Sequence, residues 1–110
     1  MDVVVERGTT YSVVRVEGEV DLASAPELHE ILAAFDPGAG GVIVDLRDVA
    51  FLDSSGLSVL VRCHQHLDVP GGTGLRLVVT RPAIHRVLDA TGLTEVFDVY
   101  TSLDDATRGL

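Results

Sequence analysis

Asp53-Ser54-Ser55-Gly56 sets a carboxylate, two hydroxyls and a glycine directly ahead of an apolar-periodic stretch that runs to Leu67. A helix starting there aims unpaired backbone N–H groups and the positive end of its dipole at the tetrapeptide. Ser54 or Ser55 can cap those donors, and a phosphate carried by one of these serines would meet both the donors and the dipole. Taken alone, the tetrapeptide reads as a plain helix cap more often than as a phosphoserine site.

Other chemistries find less support. A nucleophilic Ser54 or Ser55 would need a base among His29, His64, His66 and His85, with Asp21 or Asp53 assisting. The chain has no G-x-S-x-G elbow, and His64 projects onto the core face of its helix, so no enzyme is expected. His64 and His66 lie two apart on that helix, which directs their rings to different sides and argues against a metal site. Gly71-Gly72-Thr73-Gly74 lacks a following Lys-Ser/Thr and precedes a strand, so it reads as an ordinary turn rather than a phosphate loop. Cys63, the only cysteine, has no partner for an internal disulfide or a zinc-type pair; a buried, inert thiol in a reducing compartment is the natural reading. No cofactor is expected.

Bulk properties narrow the class. Acidic residues outnumber basic ones 17 to 8, every basic residue is an arginine, and the formal net charge is −9. Such a chain lacks the basic footprint that holds phosphate backbones or anionic lipid heads, so no direct nucleic-acid partner is expected. The N-terminus has no basic region followed by an apolar one, and no run reaches the roughly 18 apolar residues of a bilayer span. No membrane insertion and a cytoplasmic location follow as expectations. At 110 residues the chain reads as a single domain, 1–110.

The elements that must position the tetrapeptide follow from periodicity and punctuation. Val3 to Glu6 and Tyr11 to Val16, separated by Arg7-Gly8-Thr9-Thr10, read as a hairpin. Ser24-Ala25-Pro26-Glu27 offers a cap, a first-turn proline and a capping-box glutamate for a helix whose inner face is Leu28, Ile31, Leu32 and Phe35. Pro37-Gly38-Ala39-Gly40-Gly41 ends that helix. Val42 to Leu46, interrupted only by Asp45, reads as a central strand, and a second helix spans about Ser55 to Leu67. After the glycine-rich turn come a strand at Leu75 to Thr80, a helix at Pro82 to Thr91 stopped by Gly92, a short strand at Val96 to Tyr100, and a terminal helix capped by Ser102. The order β-β-α-β-α-β-α-β-α implies an α/β fold, a mixed sheet of about four to five strands flanked by about four helices.

At about 100° per residue the second helix places Leu57, Leu60, Val61, His64 and Leu67 on the sheet side, and Ser58, Val59, Arg62 and His66 opposite. An exposed Val59 between Ser58 and Arg62 would form a small contact patch beyond Ser54.

The strand VIVDL, the linker RDVAFL, then DSSGL and an apolar helix together resemble the central signature of the STAS family, the fold of anti-sigma-factor antagonists. GEVD at Gly18 to Asp21 is similar to that family's Gly-x-x-Asp turn, and RPAIHRVLDATGL at Arg81 to Leu93 resembles its third-helix segment. The resemblance runs from about Val4 to Leu103. It implies that Ser54 is the phosphoacceptor, that Ser55 and Gly56 shape the turn beside it, and that Asp21 and Asp53 are the flanking acidic positions. Ser58 departs from the glycine that many members carry and adds a hydroxyl to the contact face.

The partner implied is an anti-sigma factor with serine-kinase activity, which the unphosphorylated antagonist would occupy so as to free a sigma factor. Phosphate on Ser54 would block this partner switching, and a phosphoserine phosphatase, responding to stress or development, would restore it. The same fold also serves phospholipid-transport ATPases as a subunit, stressosomes as a scaffold, and anion transporters as a tail. A chain of this length is not expected to be a transporter tail, and the want of an added N-terminal sensory domain argues mildly against a stressosome protein. A phospholipid-transport ATPase subunit or a stressosome-like scaffold stays open as the alternative.

Overall fold

Two valine-rich runs open the chain as a hairpin, with β1 (Asp2–Arg7) antiparallel to β2 (Tyr11–Val20) and Val3 opposite Val16. The computed structural model describes residues 1–38, 40–72 and 74–110; Ala39 and Thr73, one in each glycine-rich break, lie outside the described residues. After the hairpin, strands and helices alternate: α1 (Ala25–Ala33), β3 (Gly41–Leu52), α2 (Ser54–Leu67), β4 (Leu75–Val78), α3 (Pro82–Ala90), a 3-10 turn at Leu93–Glu95, β5 (Asp98–Tyr100) and α4 (Leu103–Thr107). The strands lie in the order β1-β2-β3-β4-β5, and every pairing after the hairpin is parallel. This is the mixed α/β sheet expected from the element order, since parallel neighbours need a crossover and the helices supply it.

The two faces of the sheet are covered unequally. Val14, Val44, Leu46 and Leu77 join Leu28, Leu60, Ile84 and Leu88 in one large core cluster beneath α1, α2 and α3. Val13, Ile43, Val78 and Ala106 form a smaller cluster against α4. Residues 41–46 of β3 are therefore buried on both faces, which explains why that run is almost wholly apolar.

Two local readings change. The stretch Arg47 to Leu52, read from the sequence as a linker, is strand, because β2 runs on to Val20 and gives it a parallel partner. Its hydrophobic alternation is broken by bulges: Arg15 faces Asp45 and Glu17 faces Asp48, and then Gly18 faces Val49 and Glu19 faces Phe51. The second change is at Ser24, described below.

Asp45 is the charged exception in the buried strand, with its side chain only 2% exposed. Arg47 binds it in bidentate fashion, Nε donating to Oδ1 at 3.0 Å and a terminal nitrogen to Oδ2 at 2.7 Å, while Arg15 stands 3.6 Å away. Burial pushes the Asp45 carboxyl up, but the Arg47 hydrogen bonds, with the charges of Arg47 and Arg15, outweigh it and hold the group below its ordinary value. A depressed folded pKa contributes stability above the unfolded pKa, and that contribution is lost as pH falls toward the folded one. Asp45→Asn should cost about 1.5 kcal/mol at neutral pH, the low end for a charged hydrogen bond. Both arginines are more than a third exposed, so solvent screens the pair. Urea unfolding at pH 7 and pH 3 checks this: the gap between the variant and the parent should shrink at the lower pH.

Candidate functional site

The end of β2 and the start of α2 are tied together, with the Asp53 amide donating to the Val20 carbonyl at 3.2 Å. Beyond Val20 the chain turns on Asp21. One carboxylate oxygen of Asp21 accepts from the amides of Ala23 and Ser24, each at 3.1 Å, and from the Ser24 hydroxyl at 3.0 Å. The Ser24 oxygen in turn accepts from the Asp21 amide at 2.9 Å. The capping box expected from Ser24 and Glu27 is not made, because Ser24 spends its hydroxyl on Asp21 and provides no side-chain cap to α1. The Ser24 amide, followed by its hydroxyl, holds the Asp21 carboxyl below its ordinary value, so Asp21 stays ionised.

At α2 the helix begins one residue earlier than expected, and the cap shifts with it. Asp53 is extended at φ −95°, and its carboxylate accepts from the amides of Ser55 at 2.9 Å and Gly56 at 3.2 Å. Capping by Ser54 or Ser55 is thereby corrected: with its amide tied to Val20, Asp53 holds its side chain over the first-turn donors and takes them. Ser54 is the first helical residue, exposed, with its hydroxyl in no hydrogen bond among the described residues. The same geometry revises the phosphate reading, since two of the first-turn amides already serve Asp53 and a phosphate on Ser54 would stand beside that carboxylate.

Gly56 is where α2 presses on the strand ends. A Cβ added there would lie 2.5 Å from Leu52 Cδ1 and 2.8 Å from Val20 Cγ1. Only glycine lets the helix approach this closely.

Further along α2, Leu57, Leu60 and Leu67 are buried as expected, whereas Val61 and His64 are half-buried. Val59, expected at the surface, is only 3% exposed. The helical projection assumed one buried side, but α1 packs against α2 on the same face of the sheet and covers a second flank that includes Val59 and Cys63. Burial pushes the Cys63 thiol up to about 12, which leaves it un-ionised and unreactive at neutral pH.

Ser54, Ser58 and Arg62 remain exposed at i, i+4 and i+8, forming one ridge along α2. A cleft of about 520 Å³ separates this ridge from α1, with Leu22, Pro26 and His29 on its far wall and Val59 at its floor. A second cleft of about 410 Å³ lies on the other side, between the ridge and Thr91 and Leu93 at the end of α3. Of the residues singled out from sequence, Ser54, Ser55, Ser58, Val59 and Arg62 thus share the first cleft, whereas Asp21, Asp53 and Gly56 do not line it: Asp21 ties the turn after β2, Asp53 caps α2 and Gly56 packs on the strand ends. The α1 wall was not anticipated. Its one signal was Leu22, a large apolar residue in a polar turn, which is 77% exposed.

No histidine is hydrogen-bonded to Ser54 or Ser55 among the described residues. His66 contacts the Phe35 carbonyl at 2.8 Å, His85 the Val79 carbonyl at 2.9 Å, and His64 packs edge-on against Phe97. His29 lies in the cleft wall. No helix is long and apolar enough to cross a membrane, and among the described residues no cluster of three metal-ligating side chains occurs.

With this geometry in view, the chain can be compared with known proteins. The family model described as STAS domain matches residues 1–106. The chain is 34% identical over 86 residues to the anti-sigma-B factor antagonist of Bacillus subtilis, covering 78% of each protein. It is 30% identical over 95 residues to the anti-sigma-B factor antagonist of Listeria monocytogenes, covering 86% of this chain and 82% of that one. The crystal structure of an anti-sigma factor antagonist from Mycobacterium paratuberculosis is similar with a TM-score of 0.85 and 35% identity, over 96% of this chain and 89% of the other.

Proposed function

The chain belongs to the STAS domain family, and from that premise we propose that it is an anti-sigma-factor antagonist controlled by phosphorylation of Ser54. Its unphosphorylated form binds an anti-sigma factor with serine-kinase activity in the cytoplasm and so frees a sigma factor; the phosphorylated form does not bind. A phosphoserine phosphatase resets it. The names carried by its relatives support the antagonist role.

The observation that carries the reading is the division of labour at the head of α2. Asp53 caps the helix, so the neighbouring Ser54 hydroxyl is exposed and uncommitted. A kinase can take that hydroxyl without dismantling the helix start. The phosphate would add about −1.5 to −2 charges beside Asp53 and near the ionised Asp21. Docking a partner over that rim would then require desolvating several like charges held together, which opposes binding. Ser55, Ser58 and Arg62 extend the contact along the ridge, Gly56 sets its approach to the strand ends, and Val59 supplies the cleft floor.

Incubation with each purified anti-sigma kinase of its own cell and ATP, followed by phosphopeptide mapping, tests the assignment. Phosphate should map to Ser54 and be absent from Ser54→Ala. Modification at another residue, or of both proteins alike, removes Ser54 as the control point.

A further inference from the structure

Of the three phenylalanines, Phe51 is the one the fold leaves uncovered. The Arg7 guanidinium lies over the Phe35 ring, 4.5 Å from its centre, and His64 packs edge-on against Phe97. Phe51 is 51% exposed and has no aromatic or cationic partner among the described residues. Its position follows from the two bulges in the β2–β3 pairing. Leu46, Val49 and Leu52 all enter the core beneath α1, α2 and α3, three residues apart where a regular strand repeats every two. The added residues are turned out of that core, and Asp48, Ala50 and Phe51 are exposed. On the sheet face turned away from those helices, α4 covers only the part around Val13, Ile43 and Val78.

The charge around Phe51 is of one sign. Glu19 is its direct partner on β2, and two residues back Asp2, Glu17 and Asp48 lie opposite one another across β1, β2 and β3. All four carboxylates are exposed, and none is in an ion pair among the described residues. The neighbouring arginines are committed: Arg15 and Arg47 to Asp45, and Arg81 to the Arg47 carbonyl at 3.0 Å. Like charges directly opposite on adjacent strands destabilise a sheet, so this row is held at a cost to the fold.

We propose that this open part of the sheet docks a basic protein segment whose arginine lies over the Phe51 ring and pairs with Glu19, with further basic side chains over Asp2, Glu17 and Asp48. A bare ring beside carboxylates is matched by a guanidinium, which stacks on the one and pairs with the other. The chain already covers aromatic rings in this way, with Arg7 over Phe35 and Arg76 over Tyr100. A second copy of the chain is a poor occupant, because a two-fold contact through this face sets its carboxylates against themselves. A hydrated metal ion would leave the ring bare. The surface lies across the sheet from α1 and α2, so its occupant does not compete for the Ser54 face.

The test is a chemical-shift titration of the isotope-labelled full chain with a short peptide of alternating arginine and leucine. The largest shifts should fall on the amides of Gly18, Glu19, Ala50 and Phe51, and the affinity should drop as salt rises. The lysine counterpart of the peptide should bind about 3-fold more weakly, because an ammonium does not stack on a ring as a guanidinium does, and Phe51→Ser should lose a similar factor. Glu17→Lys should bind about 10-fold more weakly and yet unfold at higher urea than the parent, because it breaks the like-charge row. Shifts centred on other acidic stretches, or equal affinity for the parent and Phe51→Ser, overturn the proposal. A Glu17→Lys variant less stable than the parent does so too, since the row would then serve the fold. Equal shifts at these amides with magnesium or spermidine would make the patch a cation site, and self-association of the parent abolished by Phe51→Ser would make a second copy the occupant; either result sinks the proposal.

Discussion

Ser54→Ala will bind the anti-sigma factor as tightly as the unmodified chain and will stay bound when ATP is added, whereas Ser54→Asp will bind about 10- to 100-fold more weakly. The difference arises at the head of α2, where Asp53 stands next in sequence and Asp21 is held ionised by the Ser24 amide and hydroxyl. An added carboxylate makes a third negative charge on the rim, and a partner that covers the rim must strip water from all of them. Alanine removes the acceptor and adds no charge, so it locks the binding state. Aspartate carries only part of a phosphate's charge, so its effect is a lower bound on that of the modification. Affinity measured at low and at physiological salt separates the causes: a charge effect shrinks as screening rises, and a purely steric effect does not. Equal affinities for the two variants would overturn the charge account of the switch.

Gly56→Val should destabilise the fold by about 3 kcal/mol, the upper end for overpacking a core. The added Cβ alone falls 2.5 Å from Leu52 and 2.8 Å from Val20, both buried and both at strand ends that α2 must meet. Leu52 can turn its terminal methyl aside, but Val20 is β-branched and stiff, so the helix rather than the strand has to give. Gly56→Ala is the informative control: alanine gains about 1 kcal/mol of helix propensity over glycine, which offsets part of the clash. Urea unfolding should show both variants with lowered midpoints and unchanged slope, the alanine variant by less because its helix propensity offsets part of the clash and it adds no methyls beyond the Cβ. A valine variant as stable as the parent would show that α2 can shift away from the strand ends at no cost. Since Asp53 is anchored to Val20, such a shift would also move Ser54, and the partner affinity of Gly56→Ala reports on that movement.

The legible parts of this protein are those whose signals are local. Two β-branched runs parted by Arg7-Gly8-Thr9-Thr10 marked the hairpin, Gly92, at φ +75°, marked the end of α3, and Ser102 caps α4 by accepting from the Asp105 amide at 3.1 Å. The apolar run of β3 declared a strand covered on both faces. Each of these depends on a few neighbouring residues and the backbone geometry they permit, so sequence alone determined them, together with the element order and the placing of Asp53-Ser54-Ser55-Gly56 at the head of a helix. Three features lay beyond that reach because they depend on residues distant in the chain. Val59 is buried because α1 comes to lie alongside α2. Arg47 to Leu52 is strand because β2 continues far enough to pair with it through two bulges. Asp53, rather than either serine, caps α2 because the tie from its amide to Val20 holds its carboxylate over the first-turn donors. Tertiary structure thus decided which hydroxyl is left free: the sequence offered one carboxylate and two hydroxyls for the same amides, and only the docking of β2 against the start of α2 assigned the carboxylate to the cap and left Ser54 to the solvent.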